Sequence, residues 1–170
     1  MKIRLSTLLV VLTLMYCHET NAQQIGAQAG LILPQGSWGD FWSTGYGAQV
    51  FYKVDRNEQI KIGGSIGYFI APGQELDLGF FGTSEFPDAS IIPLLGTFDY
   101  KVNDQFYVGG DAGYNIISFD SGDGLDNPAG SSLALIPKVG ALFEGFSAEA
   151  RYNILGDSYF SILIGYSFSN

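Results

Sequence analysis

The sequence predicts an all-β chain, an eight-stranded antiparallel up-and-down transmembrane β-barrel with its apolar face outward. Three observations carry that expectation. Eight segments of about ten residues alternate apolar and polar side chains with a period of two, and ten tilted residues cross a bilayer. Their connections alternate between tight turns and long loops. Finally, the apolar faces hold more Phe, Tyr and Ile than an eight-strand lumen can pack.

The chain starts with Lys2 and Arg4, an apolar run from Leu8 to Tyr16, and then a polar stretch ending Thr20-Asn21-Ala22. Basic start, short apolar core and small residues before the cut are the pattern of an export signal, so residues 1–22 read as a signal peptide cleaved after Ala22. The run is too short to span a bilayer as a helix, which takes about 20 residues. Leu14-Met15-Tyr16-Cys17 also resembles a lipid-attachment site, but bulky Tyr16 stands where a small residue is wanted. Residues 23–170 form the barrel domain.

Cleavage removes the only Cys and the only His of the chain, leaving no thiol for a disulfide or a soft-metal site. It also leaves 6 basic against 16 acidic residues, a net charge of −10. A surface so acidic has little to neutralise phosphates with, which excludes nucleic acid as a partner.

The first segment, Gln24 to Leu33, sets Ile25, Ala27, Ala29, Leu31 and Leu33 against Gln24, Gly26, Gln28, Gly30 and Ile32. The second sets Tyr46, Ala48, Val50 and Tyr52 against Gly47, Gln49, Phe51 and Lys53, and the third sets Ile60, Ile62, Ile66 and Tyr68 against Lys61, Gly63, Ser65 and Gly67. The fourth is apolar on both faces around Ile91-Ile92-Pro93, then separates Phe98, Tyr100 and Val102 from Thr97, Asp99 and Lys101. In the fifth, Phe106, Val108, Ala112, Tyr114 and Ile116 oppose Tyr107, Asp111 and Asn115. Leu133 to Phe143, Phe146 to Ile154 and Phe160 to Phe168 supply the last three by the same parity. Pro137 lacks a ladder donor and marks a bulge or a break in the sixth.

Turns at Asp55–Glu58, Asn103-Asp104 and Glu144-Gly145 are tight, while 34–44, 71–88 and 118–131 read as long loops. Short turns belong to the periplasmic rim of a membrane barrel and long loops to the outer one. A soluble ligand-binding barrel is the rival fold reading. It would have to bury every apolar face inside. With the apolar face outward, Tyr52, Phe98, Tyr100, Phe106, Phe143, Phe146 and Phe168 fall near one rim, as an aromatic girdle does.

The polar faces then bring Lys53, Lys61, Asp99, Lys101, Asp111, Lys138, Glu149 and Arg151 into the lumen. Register puts Asp111 and Lys138 near one depth on neighbouring strands, with Glu149 and Arg151 close by, and charge held there must be paired. Two readings follow: an ion-pair network that plugs the lumen, or a selectivity path for small solutes or ions. The loops carry Asp40, Glu75, Asp77, Glu85, Asp88, Asp120, Asp123, Asp126 and Asp157, and no basic residue. Asp120, Asp123 and Asp126 are the candidate Ca²⁺ or Mg²⁺ ligands, able to bridge to lipopolysaccharide phosphates; the alternative is a solvated acidic loop, and the spacing is not that of an EF-hand. Trp38, Phe41 and Trp42 make the first loop aromatic, suited to covering the mouth, dipping into the interface or meeting a carbohydrate. Gly63-Gly64-Ser65-Ile66-Gly67 matches the G-x-S-x-G pattern, yet that chemistry needs a strand-to-helix elbow and a His base, so the chain is read as no enzyme. No cofactor is expected.

The ending Phe160-Ser-Ile-Leu-Ile-Gly165-Tyr166-Ser-Phe168 is an alternating aromatic strand. With the eight-segment pattern, it makes the chain resemble the small eight-stranded outer-membrane barrels of the OmpA/OmpX-like superfamily, generically the outer membrane protein β-barrel domain proteins of Gram-negative bacteria. The resemblance implies outer-membrane lipids and lipopolysaccharide as surroundings. It also implies that Phe160, Gly165, Tyr166 and Phe168 act as the signal read by the barrel assembly machinery. The chain departs from it in ending Ser169-Asn170 rather than on the aromatic, and a peptidoglycan-binding domain like the one that follows the barrel in OmpA is not expected.

Overall fold

The computed structural model describes residues 23–77, 83–120, 126–156 and 158–169, so the leader and its cleavage point lie outside the described residues. Strands are β1 (Gln23–Pro34), β2 (Gly45–Asp55), β3 (Ile60–Ala71), β4 (Glu75–Asp77), β5 (Thr83–Glu85), β6 (Ala89–Lys101), β7 (Phe106–Asp120), β8 (Asp126–Phe143), β9 (Phe146–Asn153) and β10 (Tyr159–Ser169). Eight of them close a barrel in the order β1-β2-β3-β6-β7-β8-β9-β10, and every neighbouring pair is antiparallel. β4 and β5 pair with each other as a separate hairpin in the second loop.

The seam is closed by β1 against β10, from Gln24 opposite Ser169 to Pro34 opposite Tyr159. Closure satisfies backbone groups that an open sheet would leave bare in lipid. The parity read from the sequence holds around the wall: Ile25, Val50, Ile66, Phe98, Tyr114, Val139, Phe146 and Ile164 are exposed outside, while Gln28, Gln49, Lys53, Asp99, Asp111, Lys138 and Glu149 are buried within.

Tight turns have local causes. Asn57 Oδ1 accepts the N–H groups of Gln59 and Ile60, and Asn103 Oδ1 does the same for Gln105 and Phe106, so two Asn-x-Gln turns share one chemistry. Between β8 and β9, Glu144 and Gly145 both take positive φ (48° and 89°), as a two-residue turn following the strand twist requires.

Two expectations need correction. The 118–131 stretch is not a loop throughout: β7 continues to Asp120 and β8 begins at Asp126, with a register shift between Ile117 and Ser118. Phe119 stacks on Trp42 at 5.4 Å between ring centroids, and that contact holds the hairpin up. The second loop likewise contains the β4–β5 hairpin. At Pro137 the register with β7 runs on unbroken, but the ladder with β9 stops next to it, at Lys138 opposite Arg151. The missing N–H therefore interrupts one side of the strand only.

Candidate functional site in the lumen

Inward residues of β2, β6, β7, β8 and β9 meet in the lower half of the barrel, towards the short-turn end. Lys53 Nζ lies 2.7 Å from Asp99 Oδ2, and Asp99 Oδ1 lies 2.8 Å from Lys138 Nζ. Lys138 Nζ lies 2.7 Å from Asp111 Oδ1, and Asp111 Oδ2 pairs with the Arg151 guanidinium. Arg151 Nε lies 3.1 Å from Glu149 Oε2, and Glu149 Oε1 returns to Lys53 at 3.6 Å. Three cations and three carboxylates thus alternate around a closed ring, each touching two opposite charges, with no net charge.

All six side chains are buried; Asp111 keeps 1% of its surface and Glu149 2%. Isolated charges at such depth are very costly, and a ring that pairs each ion twice offsets that cost. Neutral groups complete it. Thr97 Oγ1 accepts from Lys138 at 2.5 Å, Tyr107 O–H donates to Glu149 at 2.6 Å, and Arg151 donates to Gln49 Oε1 at 3.0 Å. Gln49 passes the chain on to Gln28, and Gln28 to Ser147. The Lys53 ammonium sits 4.7 Å from the Phe51 ring centroid, a further favourable contact.

Tyr107 is held by the absence of a side chain at position 140. A Cβ built on Gly140 would fall 2.2 Å from Tyr107 Cζ. Gly140→Ala should push the ring off Glu149 and lower stability by roughly 1–3 kcal/mol, read as a shift of the urea unfolding midpoint in detergent micelles.

The remaining two sequence-identified lysines stand outside the ring. Lys61 pairs with Asp55 at 3.4 Å and donates to Gln24 Oε1 at 3.2 Å. Lys101 pairs with Asp104 at 2.8 Å across the turn, and this hydrogen bond, then the ammonium charge, holds the Asp104 carboxyl below its ordinary pKa. Both lysines line a cavity of about 160 Å³ that opens at the short-turn end and reaches Lys53, Asp99 and Glu149.

Above the ring the lumen is mainly apolar. Ile32, Phe69, Ile91, Ile117 and Leu163 gather there, Trp38 and Trp42 of the first loop pack onto them, and Asn115 and Asn153 are fully buried at the same end. Trp42 donates to the Pro87 carbonyl, and Gln74 donates to the carbonyls of Gly39 and Trp42, stitching the first and second loops together over the mouth. Of the three settings open to the first-loop aromatics, they take the cover over the mouth.

Other sequence-identified residues are more scattered. Ser65 is inside β3, buried and opposite Leu95 and Phe51, with no turn near it. Phe160, Gly165, Tyr166 and Phe168 lie on β10, where the Tyr166 ring contacts Phe146 and Phe168, each at 5.0 Å. Asp123 and Asp157 lie outside the described residues. Asp120 and Asp126 are described by backbone only, paired across the hairpin. Among the described residues no group of three or more His, Cys, Asp or Glu is placed to hold a metal ion.

No family model matches the chain, and no curated protein matches it. Solved structures do. Ail, the attachment invasion locus protein of Yersinia pestis, in complex with the heparin analogue sucrose octasulfate, aligns with a TM-score of 0.52 at 18% identity, covering 87% of this chain and 97% of its own. Neisserial surface protein A aligns with a TM-score of 0.56 at 15% identity, covering 86% and 97%. The outer membrane protein OprG from Pseudomonas aeruginosa aligns with a TM-score of 0.56 at 13% identity, covering 89% and 97%. At such identities the likeness speaks for fold. The fold is that of the small outer-membrane barrels the sequence resembles.

Proposed function

We propose that this chain is exported, cut after Ala22, and assembled as a non-enzymatic outer-membrane barrel with a plugged lumen. In this reading its rigid wall presents long acidic loops outside, for envelope structure or surface interaction. The observation that carries it is the double closure of the lumen, a neutral ring of six ions below and an apolar cover above. An unbroken exposed apolar belt supports insertion in a bilayer rather than life in the periplasm.

The loops narrow the choice of partner. Stretches 34–44, 71–88, 118–131 and 154–158 contain no Lys or Arg, so a polysulfated ligand like the one bound to Ail finds no cation there. Neutral or cationic partners fit better, as do polyanions bridged by divalent ions. The β10 aromatics are assigned to recognition by the assembly machinery on the same footing.

Two measurements test the reading. Protein from the outer-membrane fraction should change gel mobility in SDS between unboiled and boiled samples, as a closed barrel does. In planar bilayers it should give no reproducible unitary current. Steady unitary steps would favour a narrow porin, with the short-turn cavity as its vestibule and the ring as its selectivity path. A soluble periplasmic protein with no mobility shift would overturn the membrane assignment.

A further inference from the structure

We propose that the mature chain begins with a pyroglutamyl ring formed from Gln23. The proposal rests on the export reading above, in which the leader ends at Ala22. Two glutamines follow that cut, and the barrel holds them differently. β1 starts at Gln23, whose backbone pairs with Val54. Parity then sends Gln24 inward and Gln23 outward, in line with the exposed Ile25. The Gln24 amide is tied at both ends: Nε2 donates to Ser167 Oγ at 2.6 Å, and Oε1 accepts from Lys61 Nζ at 3.2 Å. The Gln23 side chain is half-buried, and among the described residues no hydrogen bond ties it down. Its carboxamide is free to bend back on its own α-amine.

The reaction is internal and complete. The α-nitrogen attacks the side-chain Cδ, and a new N–Cδ bond closes a five-membered lactam. The Cδ–Nε2 bond breaks, and the nitrogen leaves as ammonia with a proton from the amine. Nothing is oxidised or reduced, and no second reactant enters. The product lacks the α-ammonium that a fresh cut would leave beside the apolar belt. Its neutral ring continues the outward row begun by Ile25, which lies between Tyr52 on β2 and Phe168 on β10. Without a free amine, the first strand of the seam is also closed to aminopeptidases. A lactam at Gln24 would lose both lumen hydrogen bonds, so the position of the cut matters.

Intact-mass spectrometry of the protein purified from outer membranes of cells expressing the full chain tests this. The expected mass is that of residues 23–170 less one ammonia, about 17 Da, with an N-terminus that only pyroglutamyl aminopeptidase opens. Gln23→Ala should restore a free amine, and Gln24→Ala should leave the loss in place. A mass for 23–170 with a free amine would overturn cyclisation while the cut stands. A chain beginning elsewhere, or one carrying lipid on Cys17, would overturn the export reading and the ring with it. Loss of the modification in Gln24→Ala would show that Gln23 is not the residue that closes.

Discussion

Asp111→Ala should lower the stability of the folded barrel by about 3–5 kcal/mol, because it strips one carboxylate from a buried ring and leaves one positive charge there uncompensated. Asp111 pairs with Lys138 on one oxygen and with Arg151 on the other. Without it, each cation keeps a single carboxylate, Asp99 for Lys138 and Glu149 for Arg151, and the lumen carries one net positive charge. Adding Lys138→Met restores neutrality, since Lys53, Asp99, Glu149 and Arg151 remain. The double variant should therefore unfold in urea closer to the parent than the single one. Coupling of this sign is the mark of charges acting as a unit. Raising the salt concentration should change the single variant little, because screening hardly reaches buried pairs. Equal midpoints for single and double variants would mean that the ions do not act as one ring.

Much of this was legible in parity and little of it in spacing. Period-two alternation told which side of the wall Lys53, Asp99, Asp111, Lys138, Glu149 and Arg151 occupy. Register added that Asp111 and Lys138 share a depth, with Glu149 and Arg151 close by, and these four do meet. Neither parity nor register joined Lys53 and Asp99 to them. Asp99 and Lys138 sit on β6 and β8, with β7 between them, and they touch because the intervening inward position is Gly109. A Cβ there would stand 2.7 Å from Asp99 Oδ1. A glycine flanked in register by opposite inward charges is a signal that sequence reading could have used, once strand registers are aligned. Neutral members such as Tyr107, Gln49 and Thr97 carry no charge to draw attention to them, although parity places them inside too.

The upper lumen was harder to read. Ile32 on a polar face and a fourth segment apolar on both faces around Ile91 were visible in the sequence, but not that these residues pack with Phe69 and Leu163 under two tryptophans. What selects them is tertiary: the first loop folds back over the mouth, and its rings need an apolar floor. The same contact misleads about the third loop. Gly, Asp and Pro around positions 118–131 look like strand breakers, yet Phe119 stacked on Trp42 carries β7 on to Asp120.

Ile164→Arg should cost about 2–4 kcal/mol of insertion stability, the penalty for a cation on the lipid face near mid-strand. Ile164 keeps 63% of its surface, and its neighbours across both ladders are Ala29 and Ala148. Those small side chains offer an arginine neither a carboxylate nor cover, so the guanidinium must reach for the headgroups. Phe168→Arg gives the internal comparison. It lies on the same strand and faces the same way, but near the short-turn rim, where a charge costs only about 0–1 kcal/mol. Folding into vesicles, followed by the unboiled gel band and by urea titration, should rank the parent and Phe168→Arg close together and Ile164→Arg well below. The introduced residue is the same at both positions, and Phe168→Arg also gives up the Tyr166 ring contact, so a lower rank for Ile164→Arg reports depth against that bias. A soluble barrel with these side chains exposed to water would show the opposite trend, because arginine on a wet surface is harmless and removes an apolar liability. Equal insertion of all three proteins would therefore reject an outward apolar face in contact with lipid.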